Sequence, residues 1–330
     1  LALAHGITGH VQNQRGEVEV VAAGPSDAIE RFVDGLIADA PPLSSPAIAD
    51  IEAVSRPDGD TFEIIDSLAD SDAQVFVPPD YFMCDDCRHE LLDPSNRRHA
   101  YPFINCTQCG PRYTLIESLP YDRKNTSMSG FPLCPDCEAE YLDPLDRRFH
   151  AEPVACATCG PRLSFEEPGN TAVNDTDQAL AKAVGAIRAG NIVAVKGIGG
   201  YHLVCDAGSE PAVARLRSRK RRPAKPLAVM FPVAGDDGLE VARRYVALGD
   251  EEATLAAGPI RPIVLARRIP GTAIADNVAP GLDEIGVFLP YSPLHQLLLD
   301  MFDGPVVATS GNVSGEPVLT DNDEASGRLQ

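Results

Sequence analysis

Eight of the nine cysteines in this chain fall into four Cys-x-x-Cys pairs: Cys84/Cys87, Cys106/Cys109, Cys134/Cys137 and Cys156/Cys159. The gaps between successive pairs are 18, 24 and 18 residues. Two residues between thiolates let both reach one tetrahedral ion at about 2.3 Å while backbone N–H groups donate to sulfur. A glycine follows both Cys109 and Cys159, where such a knuckle turns tightly. The array predicts two zinc ions, each held by four thiolates. Four thiolates leave no open coordination position, so the metal reads as structural rather than catalytic. Disulfides or iron–sulfur ligation are the alternatives for the same residues. Pairing within each half of the array is the simpler arrangement, and a crossed pairing stays open at this level.

The same zone is an internal repeat at an offset of 50 residues. Cys84-Asp85-Asp86-Cys87 recurs as Cys134-Pro135-Asp136-Cys137, Leu92-Asp93-Pro94 as Leu142-Asp143-Pro144, and Arg97-Arg98 as Arg147-Arg148. Between about 80 and 165 there is almost no helical or strand period. Metal binding is therefore expected to supply the stability that apolar packing does not.

The flanks read differently. Residues 1 to about 75 are acidic and free of cysteine. They predict a strand at 18–22, a helix capped by Ser26 and running to about 38 with Ala28, Phe32 and Leu36 on one face, chain breaks at Pro41, Pro42 and Pro46, and a short strand at 61–65. From about 176 the pattern is regular α/β. Helices are expected at 177–189 (Leu180, Val184 and Ile187 buried, Gly190 past the end), at 211–219, and from Ser292-Pro293 through Met301. Strands are expected at 192–195, 227–231, 263–266, 286–289 and 305–309.

A basic cluster stands inside an acidic chain: Arg215, Arg217, Arg219, Lys220, Arg221, Arg222 and Lys225, with no acid among them. Such cations repel one another unless an anion binds; the alternative is a solvated helix end favoured by the C-terminal dipole. A glycine turn at 197–200 and a polar turn at 309–312 can lie beside the cluster, and together they suggest a triphosphate-sized pocket. The glycine turn is neither a P-loop nor G-x-G-x-x-G. His202 and His295 are weaker pocket candidates, Cys205 reads as core, and His150 is a weaker candidate metal ligand.

The formal charge of −20, with few lysines, disfavours a general nucleic-acid coat and fits either a halophile's surface or biased codon usage. No apolar run approaches the roughly 20 residues of a membrane span. Cysteines in metal spacing, with no charged-plus-apolar leader, lead us to expect a reducing cytoplasm. The start at Leu1 reads as a piece of a longer chain.

On these residues the chain resembles the HypF-type carbamoyltransferases of [NiFe]-hydrogenase maturation. The cysteine array is the most specific mark. The segments VAVKGIGGYHLVCDA with KRRPAKPLAV, and VATSGNVSGEP, resemble a YrdC-like domain, and LALAHGITGHVQNQRGEVEV is similar to the later part of an acylphosphatase. The resemblance implies an α/β multidomain chain: a partial acylphosphatase-like sandwich at 1–75, a duplicated four-cysteine zinc-finger region at 76–168, and a YrdC-like twisted α/β, ATP-binding domain at 169–330. It places Lys220 and Arg222 on the K-x-R pair, and Ser310 and Asn312 on the S-x-N pair, that hold ATP and the adenylate, with Lys225 nearby. It places Asn13 on the asparagine that orients water in acylphosphatases. That site is expected to be inactive here, because its phosphate-binding loop would precede Leu1.

The resemblance further implies ATP with Mg²⁺ and carbamoyl phosphate as substrates, and a thiol-bearing maturation partner of the HypE type. Transfer to that partner would need a Kae1-like domain beyond residue 330. The rivals are a threonylcarbamoyl-adenylate synthase, against which the finger array and Phe288 speak, and a zinc-ribbon nucleic-acid binder, against which the acidic charge speaks.

Overall fold

The computed structural model describes every residue except 15, 16, 41–43, 45, 58, 66–78, 259, 313, 314 and 330, and describes Asn13 by its backbone alone. The expected breaks at Pro41 and Pro42, and the expected boundary at 75–76, lie outside the described residues. The chain forms two compact units, Leu1–Pro78 and Pro79–Gln330.

In the first unit, α1 (Ala2–His5), β1 (Thr8–Gln14), β2 (Glu17–Ala23), α2 (Ser26–Ala38) and β3 (Phe62–Ile64) make a three-stranded sheet, in the order β2-β1-β3, with a helical cover. Strand β1 pairs antiparallel with β2 and parallel with β3. Helix α2 buries Ala28 and Phe32 with Ala2 and Ile7, and Phe32 meets Phe62 edge-on at 6.1 Å. Ser26 is the first helical residue, and Pro25 occupies the cap. Strand β1 has no counterpart among the sequence expectations, because its polar residues (His10, Gln12, Asn13, Gln14) mask the period.

The second unit opens with α3 (Asp85–Leu92) and α4 (Pro135–Leu142), which stand 50 residues apart. Each starts on the first cysteine of its repeat, Cys84 or Cys134, as N-cap, with acidic residues in the first turn where they favour the helix dipole. These helices correct the expectation of a zone nearly without regular structure. At two turns each they are too short to show a 3.6-residue period. Leu91, Tyr101, Ile104, Met128 and Ala155 pack with the cysteines into a small core.

The rest of this unit holds α5 (Thr176–Arg188), β4 (Val193–Gly197), β5 (Gly200–Asp206), α6 (Glu210–Lys220), β6 (Ala228–Met230), β7 (Val246–Ala247), α7 (Asp250–Ala257), β8 (Val264–Arg268), β9 (Glu284–Phe288), α8 (Pro293–Phe302), β10 (Val306–Ser310) and α9 (Asn322–Arg328). The seven strands run β4-β5-β10-β6-β9-β8-β7, and among the described residues only β6 with β9 pairs parallel in this sheet. Side chains alternate with the two-residue strand period. Leu203, Cys205, Val229, Val287 and Val307 pack with α6 and α7 on one face, while Val204, Met230, Phe288, Val306 and Ala308 pack with α5 and α8 on the other. Cys205 thus lies in the core, and burial pushes its thiol up to about 12. The glycines at 197–200 form the tip of the β4–β5 hairpin, where Gly197 pairs with Gly200.

Candidate functional site

The four sulfurs of Cys84, Cys87, Cys106 and Cys109 lie within 4.8 Å of one another, and so do those of Cys134, Cys137, Cys156 and Cys159. The Sγ separations are 3.7 Å for Cys84–Cys106, 3.8 Å for Cys106–Cys109 and 3.5 Å for Cys87–Cys109. In the other set they are 3.7, 3.8 and 3.7 Å for the corresponding pairs. The edge of a tetrahedron built on 2.3 Å metal–sulfur bonds is about 3.8 Å, so both sets fit one tetrahedral ion each. Backbone N–H groups of Gln108 and Thr158 donate to Cys106 and Cys156 Sγ at 3.3 and 3.4 Å. Pairing is within each half of the array.

His150 belongs to neither set. It sits exposed at φ 49°, with its ring centroid 4.9 Å from that of Tyr141 and 4.4 Å from that of Phe149. The two knuckle glycines serve different needs. Gly110 has φ +94°, a left-handed conformation, whereas at Gly160 a Cβ would stand 2.1 Å from Tyr101 Oη.

Arginines reach each thiol set from the opposite repeat. Arg97 Nη2 donates to Cys137 Sγ at 3.1 Å and to Glu140 at 2.9 Å, while Arg98 Nη1 donates to Glu140 at 3.0 Å and Arg98 Nε to the Ala155 carbonyl at 2.9 Å. In the other direction Arg147 Nη1 donates to Cys87 Sγ at 3.3 Å and Arg147 Nε to Glu90 at 3.2 Å. Arg148 pairs with Glu90 and donates to the Asn105 carbonyl at 3.1 Å. Arg98 and Arg148 are 1% and 3% exposed. The guanidinium groups hold Glu140, otherwise disfavoured as an anion by burial, at about 2.

The second site gathers at the end of α6 and the end of β10. Lys220 Nζ contacts the Ser310 carbonyl oxygen and donates to Asn312 Oδ1 at 2.7 Å; Ser310 Oγ donates to the same Oδ1 at 2.8 Å. Burial, then the neighbouring Arg222, lower Lys220 to about 8. Ser310 stands opposite His202 across the β5–β10 pairing. His202 is depressed by burial and by Lys220, and its Nδ1 lies 2.9 Å from Tyr291 Oη. His295 is fully buried with Nδ1 2.7 Å from Ser292 Oγ, and burial holds it at about 3.

The basic cluster does not act as one patch. Arg217, 5% exposed, donates to the carbonyls of Arg222, Lys225 and Val278 at 2.8, 3.1 and 2.9 Å and so pins the 221–226 loop. Arg215 donates to the Gly190 carbonyl at 3.0 Å. Arg222 donates to the Pro226 carbonyl at 2.6 Å, and Lys225 contributes its carbonyl while its side chain is exposed. Backbone carbonyls offset much of the expected repulsion. A cleft of about 1390 Å³, lined among others by Phe103, Met128, Gly199, Arg219 and Tyr291, borders the hairpin tip, while Lys220, Ser310 and Asn312 lie outside its lining.

Asn13 stands in β1 opposite Val18. Among the described residues no helix is long and apolar enough to cross a membrane.

Comparison with known proteins matches three stretches of the chain. An acylphosphatase profile matches residues 1–64, a HypF finger profile matches 83–116 and 133–166, and the Sua5/YciO/YrdC profile, described as telomere recombination, matches 185–330. Carbamoyltransferase HypF2 of Cupriavidus necator is 46% identical over the whole chain, as is carbamoyltransferase HypF of Synechocystis; the chain spans 42% of the length of each. The human threonylcarbamoyl-AMP synthase is 32% identical over 42% of the chain. The solved structure of T. kodakarensis HypF matches 99% of the chain with a TM-score of 0.86 at 41% identity, and the match covers 41% of that protein's chain. A full-length HypF in its phosphate- and nucleotide-bound form matches with a TM-score of 0.85, also at 41% identity, over 42% of its length. With three stretches matched by acylphosphatase, HypF finger and Sua5/YciO/YrdC profiles, and the whole chain aligned to HypF relatives at up to 46% identity, the chain belongs to the HypF family.

Proposed function

We propose that the 185–330 part of this chain joins carbamate, derived from carbamoyl phosphate, to ATP and forms carbamoyl adenylate. The observation that carries the reading is the buried Lys220 ammonium held between Ser310 and Asn312. Its partners are neutral oxygens, so its charge is left to act on an anion. A carbamate oxygen attacks the α-phosphorus, the bond from that phosphorus to the bridging oxygen breaks, and pyrophosphate leaves with the electron pair. The step brings anions together; Lys220 and Arg222 would offset that repulsion from fixed positions. Mg²⁺ on the phosphates would supply further positive charge. The nucleotide-bound form of a HypF relative supports a nucleotide site in this family.

The two thiol sets would each hold a structural zinc ion, and zinc fits them because sulfur alone forms the donor set. Asn13 would only mark the water-orienting position of the acylphosphatase-like part and is assigned no step. Passage of the carbamoyl group to a partner thiol in hydrogenase maturation, in a reducing cytoplasm, completes the reading for the whole protein.

ATP–pyrophosphate exchange tests it. Exchange is expected with bicarbonate-derived carbamate and not with threonine plus bicarbonate. Exchange with threonine plus bicarbonate, and none with carbamate, would move the chain to the threonylcarbamoyl-AMP synthases it partly resembles.

A further inference from the structure

The sequence repeat makes the two finger modules look like independent copies, yet their arginine pairs cross. Arg97 and Arg98 lie between the second and third cysteines of the first set and contact Cys137 and Glu140 of the second. Arg147 and Arg148 hold the same place in the second module and contact Cys87 and Glu90 of the first. The Arg147 carbonyl also accepts from Thr107 N and Oγ1, at 3.2 and 3.0 Å, beside the third cysteine of the first set.

We propose that the two metal centres load cooperatively, each completed by the arginine pair that the other module presents. The inference rests on the reading that each thiol set holds a metal dication. Four thiolates around a dication carry a net charge of −2, and holding that charge in a dry site requires donors around the sulfurs. Here the charged donors to Cys87 and Cys137 come from the opposite copy. Closing the 84–109 loop on its ion fixes Arg97 and Arg98, and that arrangement is what the 134–159 set needs. The relation is reciprocal, so each ion strengthens the binding of the other by the same factor. Arg98 and Arg148 are almost fully buried, which leaves no solvated position to which either can retreat without breaking the other module.

The test is zinc titration of the whole chain against a metallochromic chelator. Cys134→Ser with Cys156→Ser silences the second set and leaves the first intact in its four sulfurs. Affinity of the first set is then expected to fall at least tenfold relative to its value beside a loaded partner. A second arm replaces only the partly exposed Arg147 by Met, which removes a donor to Cys87 without touching a ligand. With the second set loaded, Arg147→Met should weaken the first set several-fold, and with the second set silenced the same substitution should cost the first set little more. Affinity of the first set unchanged within twofold after silencing the second, or Arg147→Met weakening the first set as much with the second silenced as with it loaded, would overturn the coupling. Failure to bind zinc at all would instead overturn the metal reading on which it rests.

Discussion

The Lys220 ammonium lies 2.7 Å from Oδ1 of Asn312, a residue 92 positions further along the chain. The β5–β10 pairing brings them together by carrying Ser310 to the end of the sheet beside His202. Because neutral oxygens hold the cation, removing it should cost ligand affinity directly. Lys220→Met is expected to weaken ATP binding by about 1–3 kcal/mol, the scale of charge-assisted hydrogen bonds. Asn312→Ala should lower adenylate formation more than ATP affinity. Calorimetry at two salt concentrations, with pyrophosphate exchange alongside, checks both; loss of the Lys220 effect at high salt would mark a diffuse basic surface instead.

The same group makes binding pH-dependent. Its pKa falls from 10.5 in the unfolded chain to about 8 in the fold, chiefly through burial. Between about pH 8 and 10.5 the unfolded chain binds a proton that the fold does not, so this group's contribution to stability rises with pH. ATP affinity should move the other way and decline as pH rises through about 8, because the cation is lost. In Lys220→Met the decline should flatten. A wild-type profile level from about pH 7 to 9 would show that this ammonium does not touch the nucleotide.

Arg217 and Arg215 share one helix and have opposite roles. Arg217→Ala removes a donor from the carbonyls of Arg222, Asn277, Lys225 and Val278; the last two keep Arg222 Nε and Leu227 N, while those of Arg222 and Asn277 lose their partner at roughly 1–3 kcal/mol each. A loss of about 3 kcal/mol in stability is expected, with ATP affinity falling as the 221–226 loop loosens. Arg215→Ala, which gives up one exposed bond to Gly190, should stay within about 0.5 kcal/mol. Denaturant titration of the two variants separates them, and equal losses would contradict the assignment.

His295 should make the chain acid-labile. It is held at about 3, against 6.5 in the unfolded state, by burial and then by His202. As pH falls from 6.5 toward about 3, the unfolded chain takes a proton that the native state refuses, and stability is lost. His295→Gln removes that slope. Thermal midpoints at about pH 7 and 4.5 should therefore converge more in the variant than in the wild type. Proton competition for the thiolates acts on both proteins alike and cancels in the comparison.

Period and caps mark helices α2, α5, α6 and α8, and the cysteine spacing favours pairing within each half without excluding a crossed one. The meeting of Lys220 with Ser310 and Asn312 is what the family resemblance implies. Strands β1, β5 and β7 and helices α7 and α9 have no counterpart in the sequence reading, and three further features stay hidden. Helices α3 and α4 are too short for a period to show. The role of Arg217 is hidden because backbone carbonyls, which have no letter in the sequence, are its partners. The exchanged arginines are visible as a repeat, but repetition alone does not say whether copies serve themselves or each other.

Helix α8 belongs to two cores at once. Leu294, Leu298 and Leu299 pack against the sheet, while Leu297 also packs against the cluster around Cys87 and Ile104. Ser292 caps this helix and His295 lies in its first turn. An excised segment of residues 169–330 would keep every strand of the large sheet and still carry a newly wetted leucine on the helix that seats His295. Chelation would reach the same helix without any cut, since the cysteines lie in the core that Leu297 touches. Loss of metal in the fingers would then be heard at the histidine pair as a change in side-chain mobility, far along the chain from the nearest sulfur.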